Sequence, residues 1–165
     1  MSVRVDFVES SRAWRRSLPA RTLARQAITA ASIECGIALH RGAEVCVHLV
    51  GDADIQALNA QWRGVDAPTN VLSFPAVEPA RLGEARLLGD VLIAFETVSR
   101  EAEHERKALR DHYRHLVVHG FLHLLGFDHV EDGQAEAMEA LETRVLAQLG
   151  VADPYKAGAL AEAEP

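Results

Sequence analysis

The sequence predicts a single α+β domain: a mixed sheet of about four strands with helices packed on it, and a metal site at the end of a central helix. Two observations indicate the fold class. Short segments in which apolar and polar residues alternate indicate strands, and between them lie longer segments in which apolar residues recur every three or four positions, as in a helix. The length of 165 residues suits one domain, and 48% hydrophobic and 25% charged residues are ordinary globular usage.

The first half of the chain predicts two strands and two helices. The first strand lies near residues 3–8. Pro19, which suits the first position of a helix, begins a helix that ends before Gly36. Residues 44–50 alternate apolar and polar side chains, which is typical of a half-buried strand. Asp52 is a candidate N-cap for the next helix.

The second half predicts two more strands, a loop that flanks a cleft, and three helices. The strands are residues 71–74 and 87–93, the loop is residues 75–85, and the helices are residues 96–107, 109–125 and 132–149. The alanine- and glutamate-rich residues 156–165 have nothing to pack, so we expect a disordered tail after a functional domain of residues 1–155.

The segment HGFLHLLGFDH spaces three histidines as one metal ion requires. His119 and His123 lie four apart on one helix face. Gly126 can end the helix in the left-handed conformation and bring His129 back from another side. Three protein ligands with an open fourth position are typical of catalytic zinc, whereas structural zinc is closed by four ligands. The rest of the segment is apolar, and buried imidazoles need partners.

Other metal ligands are less favoured. His112 and His115 share a helical stripe with His119, so these three form an alternative ligand set. Their neighbours are charged, which favours a solvated helix face or the rim of a cleft. Cys35 and Cys46 lack metal-type spacing, so we interpret them as small buried hydrophobic residues.

The histidine spacing also matches the metzincin protease pattern HExxHxxGxxH at every position but one. Gly120 stands where the protease has its glutamate. That glutamate is the general base that activates the metal-bound water. Its absence argues against peptide hydrolysis by the usual route.

A second group of candidate residues lies upstream. Ile55, Leu58 and Trp62 form the apolar side of the helix that begins at Asp52, and Arg63 projects from its last turn, ahead of the segment PTNVLSFP. A guanidinium there could bind the oxygens of a phosphate. A solvated arginine that interacts favourably with the helix dipole is the commoner arrangement.

Together, the two motifs closely resemble those of the YbeY family of bacterial endoribonucleases, as do Leu88-Gly89-Asp90-Val91 and Asp153-Pro154-Tyr155. The resemblance implies a metal-dependent, single-strand-specific endoribonuclease that matures the 3′ end of small-subunit ribosomal RNA and takes part in ribosome quality control. The small ribosomal subunit and its assembly factors are the implied partners. The zinc ligands of the family carry over onto His119, His123 and His129, and its functional arginine onto Arg63.

We expect Arg63 and His119 to carry catalysis, with one zinc ion per chain, although three imidazoles also suit nickel. Zinc with neutral ligands can lower the pKa of a bound water to about 7. Either that water or the 2′-hydroxyl of the RNA could attack the phosphate, and the sequence does not choose between them. Asp128 and Asp90 are the candidate general bases, although an aspartate beside a ligand more often orients the histidine.

Charge and composition limit the setting. The net charge of −7 disfavours indiscriminate RNA binding. Residues 1–25 carry six arginines against two acidic residues, which could form a basic face or a solvated helix. No apolar run approaches the ~20 residues of a membrane span, and the N-terminus lacks the apolar region of a signal peptide. With two unpaired cysteines, the sequence predicts a cytoplasmic protein that makes no membrane contact.

Two alternatives from other functional classes stay open at the level of sequence. The first is a metal-dependent hydrolase of another substrate, such as a peptide, with its base supplied by Asp128 or Asp90. The second is a non-catalytic ribosome-assembly factor with structural zinc.

Overall fold

A computed structural model describes residues 3–155 and contains one four-stranded mixed sheet. Its strands are β1 (Arg4–Glu9), β2 (Glu44–Val50), β3 (Val71–Pro75) and β4 (Leu87–Ala94). The spatial order is β1-β2-β4-β3, in which β1, β2 and β4 run parallel and β3 pairs antiparallel with β4 at the edge. The predicted α+β class and strand number are confirmed. The predicted tail, residues 156–165, lies outside the described residues.

Six α-helices are described around the sheet. They are α1 (Ala13–Ser17), α2 (Ala20–Glu34), α3 (Asp52–Arg63), α4 (Phe95–His104), α5 (Leu109–Leu124) and α6 (Asp132–Gln148). The five longer helices match the predicted segments. The short α1 has no periodicity to reveal it, and it is held by Trp14, which is fully buried and donates its indole N–H to the Val50 carbonyl at 3.0 Å. The predicted loop of residues 75–85 contains a 3-10 helix, Pro79–Glu84.

Helix α5 is the centre of the fold. It is flanked by α2, α4 and α6, and it packs on β3 and β4. Its apolar residues from Leu116 to Leu124 are buried on every side, as the sequence predicts for a helix without a polar face. Tyr113 is fully buried and donates its hydroxyl to the Ala20 carbonyl at 2.8 Å, which ties α5 to the start of α2.

The opposite face of the sheet is only partly covered. Ile55 of α3 packs there with Val50, Leu72, Leu92 and Ala94, which form a small second core. Trp62, the last of the three residues predicted for the apolar side of α3, is 64% exposed. Its indole meets the Phe74 ring edge-on, with ring centres 6.2 Å apart, and Phe74 packs against that small core.

The N-termini of α3 and α4 cap each other. Asp52 does not cap its own helix as predicted, because it is already the first helical residue. Its backbone N–H donates to Glu96 Oε1 at 2.8 Å, and its carboxylate accepts the backbone N–H of Thr97 at 3.0 Å. Burial alone would raise the pKa of Asp52, but hydrogen bonds from Thr97 and Arg100 lower it below its usual 3.8. Each carboxylate therefore satisfies a free N–H of the other helix.

Arginines of the N-terminal segment contact other groups of the fold. Arg15 forms an ion pair with Glu9 at 2.8 Å. The guanidinium groups of Arg21 and Arg25 lie 5.4 Å and 5.0 Å from the centre of the Phe7 ring. Among residues 3–155, no helix combines the length and the apolar character needed to cross a bilayer.

Candidate metal centre

Two of the three predicted ligands lie in the last turns of α5. The Nε2 atoms of His119 and His123 are 3.1 Å apart. Zinc–nitrogen bonds of about 2.0–2.1 Å in tetrahedral geometry place two ligand nitrogens about 3.3 Å apart. The spacing of this pair therefore fits one shared ion, as the helical period predicts.

A glycine turn brings the third histidine back to the pair. Gly126 has a φ of +94°, the left-handed conformation that the sequence predicts for the helix end. The ring centre of His129 lies 5.7 Å from that of His119 and 5.0 Å from that of His123. Ligand atoms of the three histidines all lie within 4.8 Å of one another. We refer to His119, His123 and His129 as the histidine triad.

The triad opens to solvent on the side of His129, whose side chain is 60% exposed. The Asp128 carboxylate accepts the backbone N–H of His129 at 2.7 Å. Asp128 therefore holds the turn that presents the third histidine. This contact supports the orienting role that the sequence favours for an aspartate beside a ligand.

A buried carboxylate fixes the orientation of His119. Glu142 of α6 is fully buried, and its Oε2 lies 2.6 Å from His119 Nδ1. Because a carboxylate accepts hydrogen bonds, Nδ1 carries the proton and Nε2 presents a free lone pair toward His123. Carboxylate–histidine pairs of this kind orient metal ligands in many sites. The residues present therefore fit a metal ion.

Glu142 is the acceptor of a wider network. His115 Nε2 lies 3.3 Å from Glu142 Oε1, and the Tyr155 hydroxyl donates to the same oxygen. Burial alone would raise the pKa of Glu142, but the hydrogen bonds from His115 and His119 lower it to about 2. Burial and the adjacent Glu142 raise the pKa of the Tyr155 phenol. Glu142 is therefore ionised at neutral pH.

Of the two arrangements expected for the first half of α5, the structure favours the rim of a cleft over a solvated face, because His112 and His115 line a cavity. His112 is only 5% exposed, so it is not on a solvated face. Its Nε2 lies 2.9 Å from Glu101 of α4, and Asn70 also donates to that carboxylate at 3.0 Å. The alternative ligand set of His112, His115 and His119 is not brought together within residues 3–155. His112 and His115 instead bind carboxylates.

These side chains line a cavity of about 470 Å³ beside the triad. His119 forms part of its wall, and the cavity extends past Asn70, Glu101, His115 and Tyr155. Burial would raise the pKa of Glu101, but hydrogen bonds from His112 and Asn70 lower it. The wall of the cavity thus contains the ionised Glu101 carboxylate as well as the basic side chain of Lys107.

Comparison with known proteins identifies the family. The profile of the family described as endoribonuclease YbeY matches residues 10–150. The chain belongs to this family. Endoribonuclease YbeY of Bradyrhizobium diazoefficiens is 51% identical over 148 residues, which are 86% of this chain and 79% of that protein. Endoribonuclease YbeY of Methylocella silvestris is 47% identical over 152 residues, which are 92% and 85% of the two chains.

The solution structure of TM1509 from Thermotoga maritima is similar in fold, with a TM-score of 0.59 and 26% identity over 86% of each chain. Membership of the YbeY family confirms the predicted resemblance and the predicted endoribonuclease class. The matched region contains the whole histidine triad and Glu142.

The geometry explains why this YbeY-family chain has glycine where a metzincin has its glutamate. A Cβ atom on Gly120 would lie 2.6 Å from Val91 Cγ1 and 3.1 Å from Val71 Cγ2. The Ser73 hydroxyl also donates to the Gly120 carbonyl at 2.8 Å. Position 120 therefore faces the sheet at close contact, and a glutamate there would not fit.

Two predicted residues are not brought to the triad. Arg63 ends α3, which packs on the face of the sheet opposite α5, and its side chain is exposed without an ion-pair partner in the described part of the chain. Asp90 lies on the outer sheet face as well, with its Oδ1 2.8 Å from His48 Nε2. Its neighbour Val91 points to α5, so Asp90 points away from the triad.

The sequence analysis assigned no role in the site to Glu142 or to Tyr155, although Tyr155 belongs to one of the segments that resemble the family. One signal was available for the carboxylate: in α6, Glu142 lies within the buried stripe formed by Met138, Leu141 and Val145. A carboxylate on a buried stripe needs hydrogen-bond donors, and histidines were the candidates. No pattern predicts which donors it binds, because they lie more than 20 positions away, with separations of 23 and 27 residues to His119 and His115.

Proposed function

We propose that this chain is a metal-dependent, single-strand-specific endoribonuclease that acts in maturation of the 3′ end of small-subunit ribosomal RNA and in ribosome quality control. Residues 1–155 form the enzyme domain, and it works in the cytoplasm with the small ribosomal subunit and its assembly factors. The observation that carries the proposal is the solvent-open histidine triad, oriented by Glu142, in a member of an endoribonuclease family.

The proposed metal is zinc, held by His119, His123 and His129. When bound, zinc supplies Lewis acidity and lowers the pKa of water to about 7. The donor chemistry supports this assignment, because three imidazoles suit zinc while admitting nickel. Burial, followed by electrostatic repulsion from the neighbouring His119 and His129, lowers the pKa of His123. The ligand is therefore kept in the neutral form that binds metal.

The proposed roles of the other residues follow from their contacts. Glu142 retains the proton on Nδ1 of His119, so that Nε2 remains a ligand. Asp128 holds the backbone of His129. His119 belongs to the triad and also lines the cavity, which supports its proposed catalytic role where substrate would enter.

Arg63 is proposed to stabilise the charge that develops on the phosphoryl oxygens. Strand β3 connects it to the triad, because Ser73 contacts Gly120 beside His119, and Phe74 contacts Trp62 beside Arg63. An RNA strand that crosses this edge strand would meet both. The exposed indole of Trp62 offers a surface for base stacking, which is available in single strands and supports the proposed specificity.

The test compares cleavage of a single-stranded RNA by the wild type, His123→Ala and His104→Ala, with metal content measured on each. His104 is an exposed histidine on α4 and serves as the matched control. We expect His123→Ala to bind one ion fewer per chain and to lose cleavage, and His104→Ala to retain both. Duplex RNA of the same sequence should resist all three proteins.

Equal cleavage by wild type and His123→Ala would overturn the proposal. Protein that cleaves no RNA but unfolds on metal removal would favour an assembly factor with structural zinc. Peptide cleavage that survives Arg63→Ala would favour a hydrolase of another substrate. The ribosomal role is tested by adding the protein to precursor small subunits and mapping the 3′ end of their RNA, with His123→Ala as the inactive control.

A further inference from the structure

A second group of metal-ligand side chains lies on the outer face of the sheet. Cys46 and His48 are two apart on β2, so both point to the same face. Asp90 of β4 is the direct partner of Cys46 in the parallel register. The Sγ of Cys46, a ring nitrogen of His48 and a carboxylate oxygen of Asp90 all lie within 4.8 Å of one another.

We propose that Cys46, His48 and Asp90 form a second metal site, which binds a divalent transition-metal ion of the zinc class on the face of the sheet opposite the histidine triad. The three are referred to below as the sheet site. The interpretation of Cys46 as a small buried hydrophobic residue is thereby revised, since its side chain is only partly buried and faces two other ligand groups.

The donor set suits such an ion. A thiolate, an imidazole and a carboxylate are all ligands that zinc accepts, and the thiolate disfavours magnesium and calcium. Zinc bonds of about 2.0–2.3 Å place tetrahedral ligand atoms about 3.3–3.8 Å apart, so side-chain shifts of about 1 Å bring these donors into range. Three protein ligands leave a fourth position for water, and the side chains of His48 and Asp90 are 25% and 40% exposed to solvent.

The surrounding charge favours a cation. Asp6 of β1 is the register partner of Cys46 on its other side, and Glu44 lies two residues before it on the same face. Burial, followed by the negative charges of Asp90, Asp6 and Glu44, raises the pKa of the Cys46 thiol. The Arg4 guanidinium lies 3.7 Å from Asp6 and 3.8 Å from Glu44 and offsets part of this negative charge. Among residues 3–155, Asp90 has only the His48 imidazole as an ion-pair partner. A bound divalent ion would offset these charges. Without metal, His48 and Asp90 bind each other through a hydrogen bond of 2.8 Å, and the Cys46 thiol takes no part in that bond.

The sheet site is structurally separate from the triad. Val91, the residue after Asp90, points to the other face of the sheet and packs against Gly120 of α5. The sheet therefore lies between the sheet site and the histidine triad. An ion at the sheet site would connect β2 to β4, the central parallel pair. Its expected effect is on stability rather than on RNA cleavage, and it does not depend on the proposed function.

Titration with Co²⁺ under nitrogen distinguishes the two sites. A thiolate bound to cobalt gives a charge-transfer band in the near ultraviolet, and the histidine triad contains no sulfur to produce one. We expect the wild type to bind two Co²⁺ per chain with this band. Cys46→Ser should bind one and lose the band, whereas Cys35→Ser, the matched control at the only other cysteine, should retain both ions and the band.

Variants at the other ligands complete the test. His48→Ala should weaken the Co²⁺ affinity reported by the band at least about tenfold, whereas His123→Ala should keep the band while losing one ion. Absence of the band in wild type, its survival in Cys46→Ser, or its insensitivity to His48→Ala would overturn the proposal. Circular dichroism checks that each variant is folded, and His48→Gln provides a second, size-matched variant.

Discussion

Replacement of Glu142 by glutamine tests whether the buried carboxylate organises the metal site. The substitution keeps the shape of the side chain but removes its charge. Glu142 accepts hydrogen bonds from His119, His115 and Tyr155. An amide has one oxygen to accept with and a second end that only donates, so at least one of these donors is left without an acceptor.

The expected magnitude follows from the contacts. Loss of a residue that orients a metal ligand costs about 10–100-fold in metal affinity, or about 1.4–2.8 kcal/mol. The pKa of Glu142 falls from 4.5 to about 2, which corresponds to a preference of about 3 kcal/mol for the ionised form in the fold. We therefore expect Glu142→Gln to weaken zinc binding at the triad about 10–100-fold and to lower the free energy of unfolding by about 2–3 kcal/mol.

The assay is competition for Zn²⁺ with a chromophoric chelator, together with urea unfolding of the metal-free protein. Glu136→Gln is the control, because Glu136 is exposed on the same helix and its replacement by glutamine removes the same charge. Zinc affinity within about twofold of wild type in Glu142→Gln would refute the orienting role. An equal loss in Glu136→Gln would show that net charge, rather than the hydrogen bond, sets the affinity.

Three further outcomes are expected. Asp52→Asn should lower the free energy of unfolding by about 1–2 kcal/mol at neutral pH, because its carboxylate accepts the hydrogen bonds from Thr97. Since folding lowers the pKa of Asp52, this stabilisation is present above the unfolded pKa of 3.8 and is lost as the pH falls below it. Urea unfolding at a series of pH values is the test. A difference in the free energy of unfolding between wild type and Asp52→Asn that stays constant down to about pH 2 would contradict the assignment. Gly120→Ala should destabilise the protein by about 1–3 kcal/mol in thermal or urea unfolding, because its Cβ would lie 2.6 Å from Val91, and an unchanged stability would show that α5 can shift away from the sheet. Arg63→Ala should lower kcat/KM for single-stranded RNA about 10²–10³-fold and change the free energy of unfolding by less than about 0.5 kcal/mol because its side chain is exposed; cleavage that is unaffected would remove Arg63 from the site.

Periodicity within a single segment predicted those features that depend on one helix or one strand alone. The five longer helices, all four strands and the pairing of His119 with His123 follow from repeats within one segment. The turn at Gly126 was predicted because only glycine adopts a φ of +94° readily.

Contacts between elements were the part that the sequence could not supply. His112 looked solvated because its own segment is charged, but its partner Glu101 comes from α4. The cap of α3 was assigned to Asp52, whereas the carboxylate that satisfies this terminus belongs to Glu96. The sheet site was missed for the same reason: the order β1-β2-β4-β3 places Asp90 beside Cys46 and His48, although His48 and Asp90 are 42 positions apart in the sequence.

The three histidines of the triad differ in how firmly the fold holds them. His119 and His123 belong to the last two turns of α5, whose apolar residues are buried in the core. His129 follows a glycine turn, is 60% exposed, and precedes Val130, which is 80% exposed. An ion at the triad would therefore bind and dissociate stepwise, with His129 the first ligand to dissociate while His119 and His123 remain bound. One metal could then replace another without unfolding of the protein.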